Sequence, residues 1–301
     1  MIHQIRPGGA KIAEDKGTPL LRIEHVSKSF DRPVLRDVTM HVNKGETLAV
    51  LGKSVTGKSV LLKLIVGLLQ PDSGKIFYKD QEVTTLNEEE LMKLRAGIGF
   101  LFQGAALFDS MTVGENLDLF LLKHTDLPPA DREKKIVEAL SMVDLKDAVD
   151  KMPSDLSGGM KKRAGLARSI VLEPELILYD EPTTGLDPLT SASIAELILT
   201  LQQRLGIASI AVTHDLPTAF TVADRAVVLN EGLAVFEGNL EALHDTSDEF
   251  LREYLSASRL DRTRRDRILA TRESVLERNR RETPAKNQTE VSPIESTDEI
   301  T

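Results

Sequence analysis

Three short segments in a fixed order constrain this chain more than any other feature of its sequence. The first is a glycine-rich loop at residues 52–59, which follows an apolar run and precedes leucines at helical spacing. The last is an apolar run at residues 176–181 that ends in two acidic residues. Between them stands a Leu-Ser-Gly-Gly sequence at residues 156–159. Either outer segment alone is a common pattern, whereas all three in this order are a specific one.

The glycine-rich loop has the residues that a triphosphate site requires. A turn between a strand and a helix presents backbone N–H groups and a helix N-terminus to the anion. Gly52 and Gly57 permit the tight turn, and Lys58 can reach the β- and γ-phosphates while Ser59 supplies a hydroxyl to Mg²⁺. The alternative, a turn with an incidental lysine, is disfavoured by the strand and helix signals on either side. The predicted contacts are Gly52, Lys53, Ser54, Val55, Thr56, Gly57, Lys58, Ser59 and Val60.

Two acidic residues stand where the later apolar strand is expected to end. Asp180 is predicted to hold Mg²⁺ through water, and Glu181 to lie beside the γ-phosphate. The alternative is a pair of solvated acids at a strand end. The turn-forming run at residues 182–187 directly after them argues against that alternative. A nucleoside triphosphate with Mg²⁺ is therefore the predicted ligand.

The composition excludes several classes of function. The net charge of −9 and the pI near 5.3 argue against broad nucleic-acid binding, which requires a positive field. The chain has no cysteine, which excludes disulfides and thiolate metal sites. Neither a signal-peptide core nor an apolar run long enough to span a bilayer is present in the sequence. A soluble protein is expected, with any membrane role exerted through a partner.

Local composition divides the chain into a domain with flanking segments. Residues 1–19 are expected to form a polar leader, and residues 20–245 to form an α/β domain with a helical insert at about 104–155. Residues 246–282 predict a helical C-terminal extension. Residues 283–301 lack periodicity and are expected to be disordered.

Strand and helix signals alternate along the α/β domain, which predicts a mostly parallel sheet flanked by helices. The helix after the phosphate loop is expected to run through Leu69 and to stop at the turn of residues 71–74. The predicted strands are residues 21–26, 34–42, 75–78, 175–180, 208–213, 226–230 and 234–236, and the predicted helices include residues 113–124, 131–143, 158–172 and 248–257.

The Leu-Ser-Gly-Gly segment, with the loop before it and the acidic strand after it, resembles the ATP-binding cassette (ABC) family. The resemblance covers about residues 20–245 and implies that family's fold, a mostly parallel phosphate-loop core with an antiparallel β subdomain and a helical insert. It also implies ATP hydrolysis, with Glu181 as the general base that polarises the attacking water. Val55 departs from the family, which usually has glycine there, and a positive φ would strain a β-branched residue.

The resemblance implies roles for four residues that are weak signals alone. Gln103 matches a glutamine that contacts Mg²⁺ or the attacking water and senses the membrane partner. His214 matches a histidine that contacts the γ-phosphate, and Asp187 matches a residue that crosses the dimer interface. Phe30 matches an aromatic residue that stacks on adenine, with a core phenylalanine as the alternative.

The resemblance further implies that the site is shared between two chains. Ser157, Gly158 and Gly159 are similar to the signature residues that, in this family, contact the nucleotide of the opposite subunit. This chain has one phosphate loop and one signature, so a complete site requires a second copy. ATP-driven homodimerisation is predicted, with hydrolysis releasing the dimer.

Shorter segments resemble the Mla/Mce lipid-transport branch of the family. They are residues 102–113, 157–163 and 178–191. The resemblance implies an integral-membrane permease and an Mce-domain protein as partners, phospholipid as cargo, and a peripheral location on the cytoplasmic face of the inner membrane. The alternatives are an ABC ATPase for another cargo, a soluble regulatory or mechanical ABC ATPase acting on nucleic acid or ribosomes, and a subunit that does not turn over.

The C-terminal extension contains two helical segments. The segment at residues 248–257 resembles a short element that the lipid-transport ATPases have near their dimer interface. The segment at residues 259–281 is rich in arginine, and an anionic membrane surface would favour it by about 1 kcal/mol per arginine. Interspersed acidic residues favour the alternative, a solvated charged helix.

Overall fold

The computed structural model describes residues 19–53, 56–257 and 262–282, which form two β-sheets with helices packed against them. The predicted leader (apart from Pro19), the tail after residue 282, and Ser54 and Val55 of the phosphate loop lie outside the described residues. The strands are β1 (Leu21–Ser29), β2 (Pro33–Val42), β3 (Thr47–Leu51), β4 (Ser73–Tyr78), β5 (Gln81–Glu82), β6 (Ile98–Leu101), β7 (Leu176–Asp180), β8 (Ala208–Thr213), β9 (Arg225–Asn230) and β10 (Leu233–Asn239).

The α-helices alternate with these strands in most of the chain. They are α1 (Lys58–Ile65), α2 (Glu88–Ala96), α3 (Val113–His124), α4 (Pro129–Met142), α5 (Gly158–Ile170), α6 (Pro188–Leu205), α7 (Leu216–Val222), α8 (Leu240–His244), α9 (Glu249–Ala257) and α10 (Arg262–Glu282). No helix within the described part of the chain combines the length and apolar character needed to span a bilayer.

The smaller sheet has four antiparallel strands in the order β2-β1-β4-β5. Along β1, Leu21, Ile23 and Val26 are buried while residues between them are partly exposed, as expected for a sheet with one face on the core. This sheet is the antiparallel β subdomain that the family resemblance implies.

The larger sheet has six strands in the order β10-β9-β3-β8-β7-β6, all parallel except for the antiparallel pair β9–β10. Every residue of β3 and β8 is buried, because helices cover both faces of a parallel sheet. The carboxyl ends of β3, β7 and β8 lie side by side at one edge. Because the strands end side by side, the phosphate loop, Asp180 and His214 come together. This is the edge at which ligands bind in open α/β sheets.

The helical insert contains α3 and α4, which pack against α5, and α5 in turn packs against β6 of the larger sheet. Its apolar residues belong to the same core as the sheet, and Leu117, Leu121 and Leu140 are fully buried there. Helix α3 begins with a capping box, in which the Thr112 side chain accepts from the Glu115 amide and the Glu115 side chain accepts from the Thr112 amide. The insert is therefore held to the sheet through α5.

The prediction that the first helix runs through Leu69 is wrong. Helix α1 ends at Ile65, and Gly67 follows with a φ of 66°. A glycine in this left-handed conformation is a common way to end a helix. The leucines beyond it keep helical spacing in the sequence but lie in the connection to β4.

The second C-terminal helix is not the fully solvated helix that its charge pattern favours. Helix α10 packs against α6 and α7, and its Val275 and Asn279 are buried. Its Arg272 donates to the Asp224 carboxylate at 2.6 Å. The arginines on its other faces remain exposed, so one narrow face binds the domain and the rest contacts solvent.

Candidate nucleotide site

The phosphate loop leads directly from the end of β3 into α1. Gly57 precedes α1 with a φ of 90°, and a β-carbon there would lie 2.8 Å from a Leu35 methyl group and 2.9 Å from the Val34 carbonyl oxygen. The Thr56 hydroxyl donates to the Lys53 carbonyl at 2.9 Å and closes the turn. Glycine is therefore required at position 57 for both backbone conformation and space.

Lys58 lies beneath the loop with its side chain 6% exposed. Its ammonium donates to the carbonyl oxygens of Gly52 at 2.8 Å and Lys53 at 3.0 Å. Burial lowers the pKa of Lys58, while the Glu181 and Asp180 carboxylates oppose that shift. Among the described residues, the partners of the ammonium within hydrogen-bond distance are both neutral carbonyls, and phosphate oxygens would be stronger acceptors for it.

Glu181 follows β7 with a left-handed φ of 49°. Its Oε2 atom accepts from Thr184 Oγ1 at 3.0 Å and lies 2.9 Å from Nδ1 of His214. Its Oε1 atom lies 3.8 Å from Nζ of Lys58. The side chain is 12% exposed, so this carboxylate is fixed between Lys58 and the histidine that follows β8.

Ser59 and Asp180 come together across the site, with Ser59 Oγ donating to Asp180 Oδ1 at 2.9 Å. Burial raises the pKa of Asp180. Among the described residues no cluster of three carboxylate or imidazole side chains could hold a metal ion. A hydroxyl beside one carboxylate instead suits Mg²⁺, which keeps several waters and takes further ligands from phosphates.

The signature residues lie at the start of α5, next to the loop that leads into α6. The Ser157 side chain caps α5 by accepting from the Met160 amide at 3.3 Å. A β-carbon on Gly159 would approach a Thr190 methyl group to 2.7 Å, so glycine allows close packing of the two helix starts. Asp187 caps α6 by accepting from the Leu189 and Thr190 amides, each at 3.0 Å. Within a single chain, Asp187 is thus a helix cap.

Comparison with known proteins identifies the family of this chain. A family model described as ABC transporter matches residues 35–184. The intermembrane phospholipid transport system ATP-binding protein MlaF of Haemophilus influenzae is 37% identical over 230 residues, which are 76% of this chain and 87% of that protein. This chain belongs to the ABC transporter family of ATP-binding proteins.

Other relatives extend the comparison. The probable ribonucleotide transport ATP-binding protein mkl of Mycobacterium bovis is 36% identical over 252 residues, which are 82% of this chain and 70% of that protein. A dimeric post-hydrolysis state of the ATP-binding cassette MJ0796 bound to ADP and Pi has a TM-score of 0.68 at 30% identity. It covers 73% of this chain and 98% of that chain. The ABC fold and ATPase class predicted from the sequence are confirmed.

Two buried cations that the sequence analysis missed connect the ABC signature helix to the loop after β6. Lys162 of α5 donates to the Gln103 carbonyl, and also to the Glu181 carbonyl at 3.2 Å. Arg168, two turns further along, donates to the carbonyls of Ala105 at 2.7 Å and Ala106 at 2.6 Å. Burial lowers the pKa of Lys162 to about 8. Arg168 stands among the small apolar residues of the buried half of α5, which was an available signal, whereas Lys162 stands in a Lys-Lys-Arg run that gave none.

Gln103 and Phe30 differ in how the structure presents them. The Gln103 side chain is exposed at the end of β6, while its carbonyl accepts from Lys162. Phe30 is 57% exposed, and the Lys28 ammonium lies 5.6 Å from its ring centroid. The alternative of a core phenylalanine is therefore wrong, and adenine stacking by Phe30 stays a prediction.

Helix α9 lies over the start of the phosphate loop. The Lys53 ammonium is 5.8 Å from the centroid of the Phe250 ring, and Tyr254 is buried in the core that includes Leu51. Burial raises the pKa of Tyr254 to about 12. The first part of the C-terminal extension thus packs against the nucleotide site.

Proposed function

We propose that this ABC ATPase hydrolyses MgATP at a site shared by two copies of the chain and drives phospholipid transport through a membrane permease. The observation that carries the catalytic part is the environment of Glu181, whose carboxylate lies between Lys58, Thr184 and His214. Sequence similarity to MlaF supports the cargo.

The contacts of Glu181 suit a general base. His214, Thr184 and Thr213 all contact Oε2, at 2.9, 3.0 and 3.3 Å, which fixes the carboxylate and directs Oε1 toward Lys58. A carboxylate held in this way can orient and polarise a water molecule for in-line attack on the γ-phosphate. The predicted contact of His214 with the γ-phosphate agrees with its half-exposed side chain beside that base.

Ser59 and Asp180, together with Gln103, are the residues that would hold Mg²⁺, partly through water. Bound Mg²⁺ neutralises charge on the β- and γ-phosphates. The buried Lys58 ammonium adds positive charge at the loop, and the Ser59–Asp180 hydrogen bond already sets the serine hydroxyl in place. These residues bind and orient the triphosphate while Glu181 acts on water.

The second copy would supply Ser157, Gly158 and Gly159 to the nucleotide. In support, the similar cassette MJ0796 is dimeric with ADP and Pi bound, and Ser157 caps a helix whose N-terminus favours an anion. Asp187 would meet the partner at the same interface. The chain would then lie at the cytoplasmic face of the inner membrane, bound to a permease, with an Mce-domain protein in the same complex.

Ribonucleotide transport is the second candidate for cargo. The observation in its favour is the similarity to mkl, which extends over 252 residues of alignment. The phospholipid proposal is preferred because MlaF is matched over 87% of its length, against 70% for mkl. A nucleic-acid partner is disfavoured by the net charge of −9.

Glu181→Gln tests the catalytic proposal. The amide keeps the shape of the side chain but cannot act as a base, so the variant should bind MgATP and remain a dimer while turnover falls at least about hundredfold. Light scattering after size-exclusion chromatography measures the dimer. Lys58→Ala is the paired variant and should weaken ATP binding itself. A monomer for Glu181→Gln in MgATP contradicts the shared site, and normal affinity for Lys58→Ala contradicts the assignment of the loop.

Isolation of the complex from native membranes in mild detergent, followed by mass spectrometry, tests the cargo and partners. A permease together with an Mce-domain protein is expected. A different permease would leave the ATPase proposal intact and remove the phospholipid assignment. Recovery with ribosomes or DNA alone would contradict the transport proposal.

A further inference from the structure

We propose that Lys162 is a positioning residue for ATP hydrolysis, which fixes the backbone of the catalytic Glu181 and of the Gln103 loop to the signature helix. The proposal rests on the proposed role of Glu181 as the base. Lys162 lies on α5 with 4% of its surface exposed. Its ammonium donates to the Gln103 carbonyl and to the Glu181 carbonyl, which belong to segments far apart in the chain.

Both segments held by Lys162 have backbone that requires support. The backbone of Glu181 has the left-handed conformation, with a φ of 49°. Its amide donates to the Val212 carbonyl at 2.9 Å. Ala105 and Ala106, two and three residues after Gln103, have φ values of 62° and 49°. Such conformations are unfavourable for residues other than glycine and persist only where surrounding contacts hold them. The Lys162 ammonium is one of those contacts at Glu181, and at Gln103 it holds the start of the segment whose alanine carbonyls accept from Arg168.

The chemistry of the contact explains why a lysine is placed there. A buried ammonium is costly unless acceptors and negative charge surround it. Two carbonyl oxygens accept its hydrogen bonds, and the nearby Asp180 and Glu181 carboxylates favour its charge. Removing the ammonium leaves the Glu181 carbonyl without this donor, so the side chain that carries the reacting carboxylate loses one of its backbone supports.

Lys162 lies on the same helix as the signature cap. Ser157, the signature cap, precedes it by five residues on one helix, which is about 7.5 Å along the axis. A helix of that length moves as a rigid unit. The signature is proposed to contact the nucleotide of the other copy. Binding of that nucleotide would therefore shift α5, and Lys162 would pass the shift to the backbone of Glu181 and Gln103 in the same chain.

The test compares Lys162→Met with Lys162→Gln in the full-length protein, with Glu181→Gln as reference. Methionine keeps the length of the side chain without a donor, whereas glutamine keeps an N–H donor. We expect Lys162→Met to lower kcat at least about tenfold while KM and ATP affinity stay within about twofold, and Lys162→Gln to recover part of the loss. Lys135→Met, which removes a lysine contact to Glu173 outside the site, is the control and should keep wild-type turnover.

A second measurement separates positioning from folding or binding. The double variant Lys162→Met/Glu181→Gln should still form the MgATP-dependent dimer, because Lys162 is assigned no part in nucleotide affinity. Loss of that dimer, or a fall in ATP affinity that matches the fall in kcat, would overturn the proposal in favour of a purely structural lysine.

Failure of this inference is distinguishable from failure of the proposed function. If Glu181→Gln is inactive but Lys162→Met keeps kcat within about twofold, the positioning role is wrong and the catalytic base stands. If Glu181→Gln itself turns over normally, the proposed function is wrong, and the positioning role that rests on it is wrong as well.

Discussion

Asn116 provides a quantitative test of how the loop between β6 and α3 is held. Its side chain is fully buried on α3. Oδ1 accepts from the Phe108 amide at 2.7 Å, and Nδ2 donates to the carbonyls of Phe108 at 3.1 Å, Met111 at 3.2 Å and Thr112 at 2.9 Å. One side chain thus closes the loop that follows Gln103 and the two left-handed alanines.

The cost of Asn116→Leu can be estimated from the groups that would lose partners. The Phe108 and Thr112 carbonyls each accept a second backbone hydrogen bond, from the Met111 and Asn116 amides respectively, so both stay paired. The Phe108 amide and the Met111 carbonyl lose the contacts given above. An unpaired buried polar group costs about 1–3 kcal/mol, and because both of these bonds are only partly buried, each group contributes in the lower part of that range. Part of this is offset by burying an apolar side chain, and the expected loss in the free energy of unfolding is about 2–4 kcal/mol.

Urea unfolding of the wild-type protein and of Asn116→Leu measures this difference, provided that the slope is unchanged. Asn116→Asp is the matched control of equal size. The aspartate keeps an acceptor for the Phe108 amide. Its second oxygen, however, points toward the carbonyl oxygens that Nδ2 of asparagine contacts, and the carboxylate buries a charge. Asn116→Asp should therefore be no more stable than Asn116→Leu. A loss below about 0.5 kcal/mol for Asn116→Leu would refute this account, because the hydrogen bonds would then contribute nothing net.

Two further predictions concern the adenine site and the C-terminal extension. Phe30→Ala should weaken ATP binding about threefold to tenfold in a fluorescent-nucleotide titration, since stacking contributes about 0.5–1.5 kcal/mol; unchanged affinity would mean that the exposed ring does not contact adenine. Deletion of residues 259–301 should keep ATPase turnover within about twofold but lower Tm by roughly 5 °C, because α6 and α7 lose the cover that includes Val275. Loss of the dimer in that deletion would show that the extension contributes to assembly.

The sequence predicted the elements that carry the site because local chemistry and strand order decide them together. A buried β3 before Gly57 and a helix after it can only place the loop at the carboxyl edge of the sheet. The same edge receives Asp180 and His214 from the ends of β7 and β8. Helix α3 was also predicted with the bounds that the structure has, from its amphipathic pattern, and the structure adds a capping box at its start.

Periodicity could not predict features that depend on a few contacts between distant segments. In α10 charged residues occupy most faces, and burial of Val275 and Asn279 against α6 leaves no regular apolar stripe. The prediction of where helix α1 ends was wrong for a different reason. The leucines after Gly67 continue the helical spacing, and the left-handed glycine that ends the helix was not recognised.

The residues that the sequence analysis missed share one physical property, which bears on how the site works. Lys162, Arg168 and Asn116 are polar, buried and bonded to backbone carbonyls of loops, and such contacts have no sequence period. The first two lie on α5, which begins at the signature cap Ser157. Left-handed backbone at Glu181 and in the Gln103 loop persists only where surrounding contacts hold it. Helix α5 provides some of those contacts and would also bind the nucleotide of the other copy. The same helix therefore determines the geometry for hydrolysing the nucleotide of its own chain.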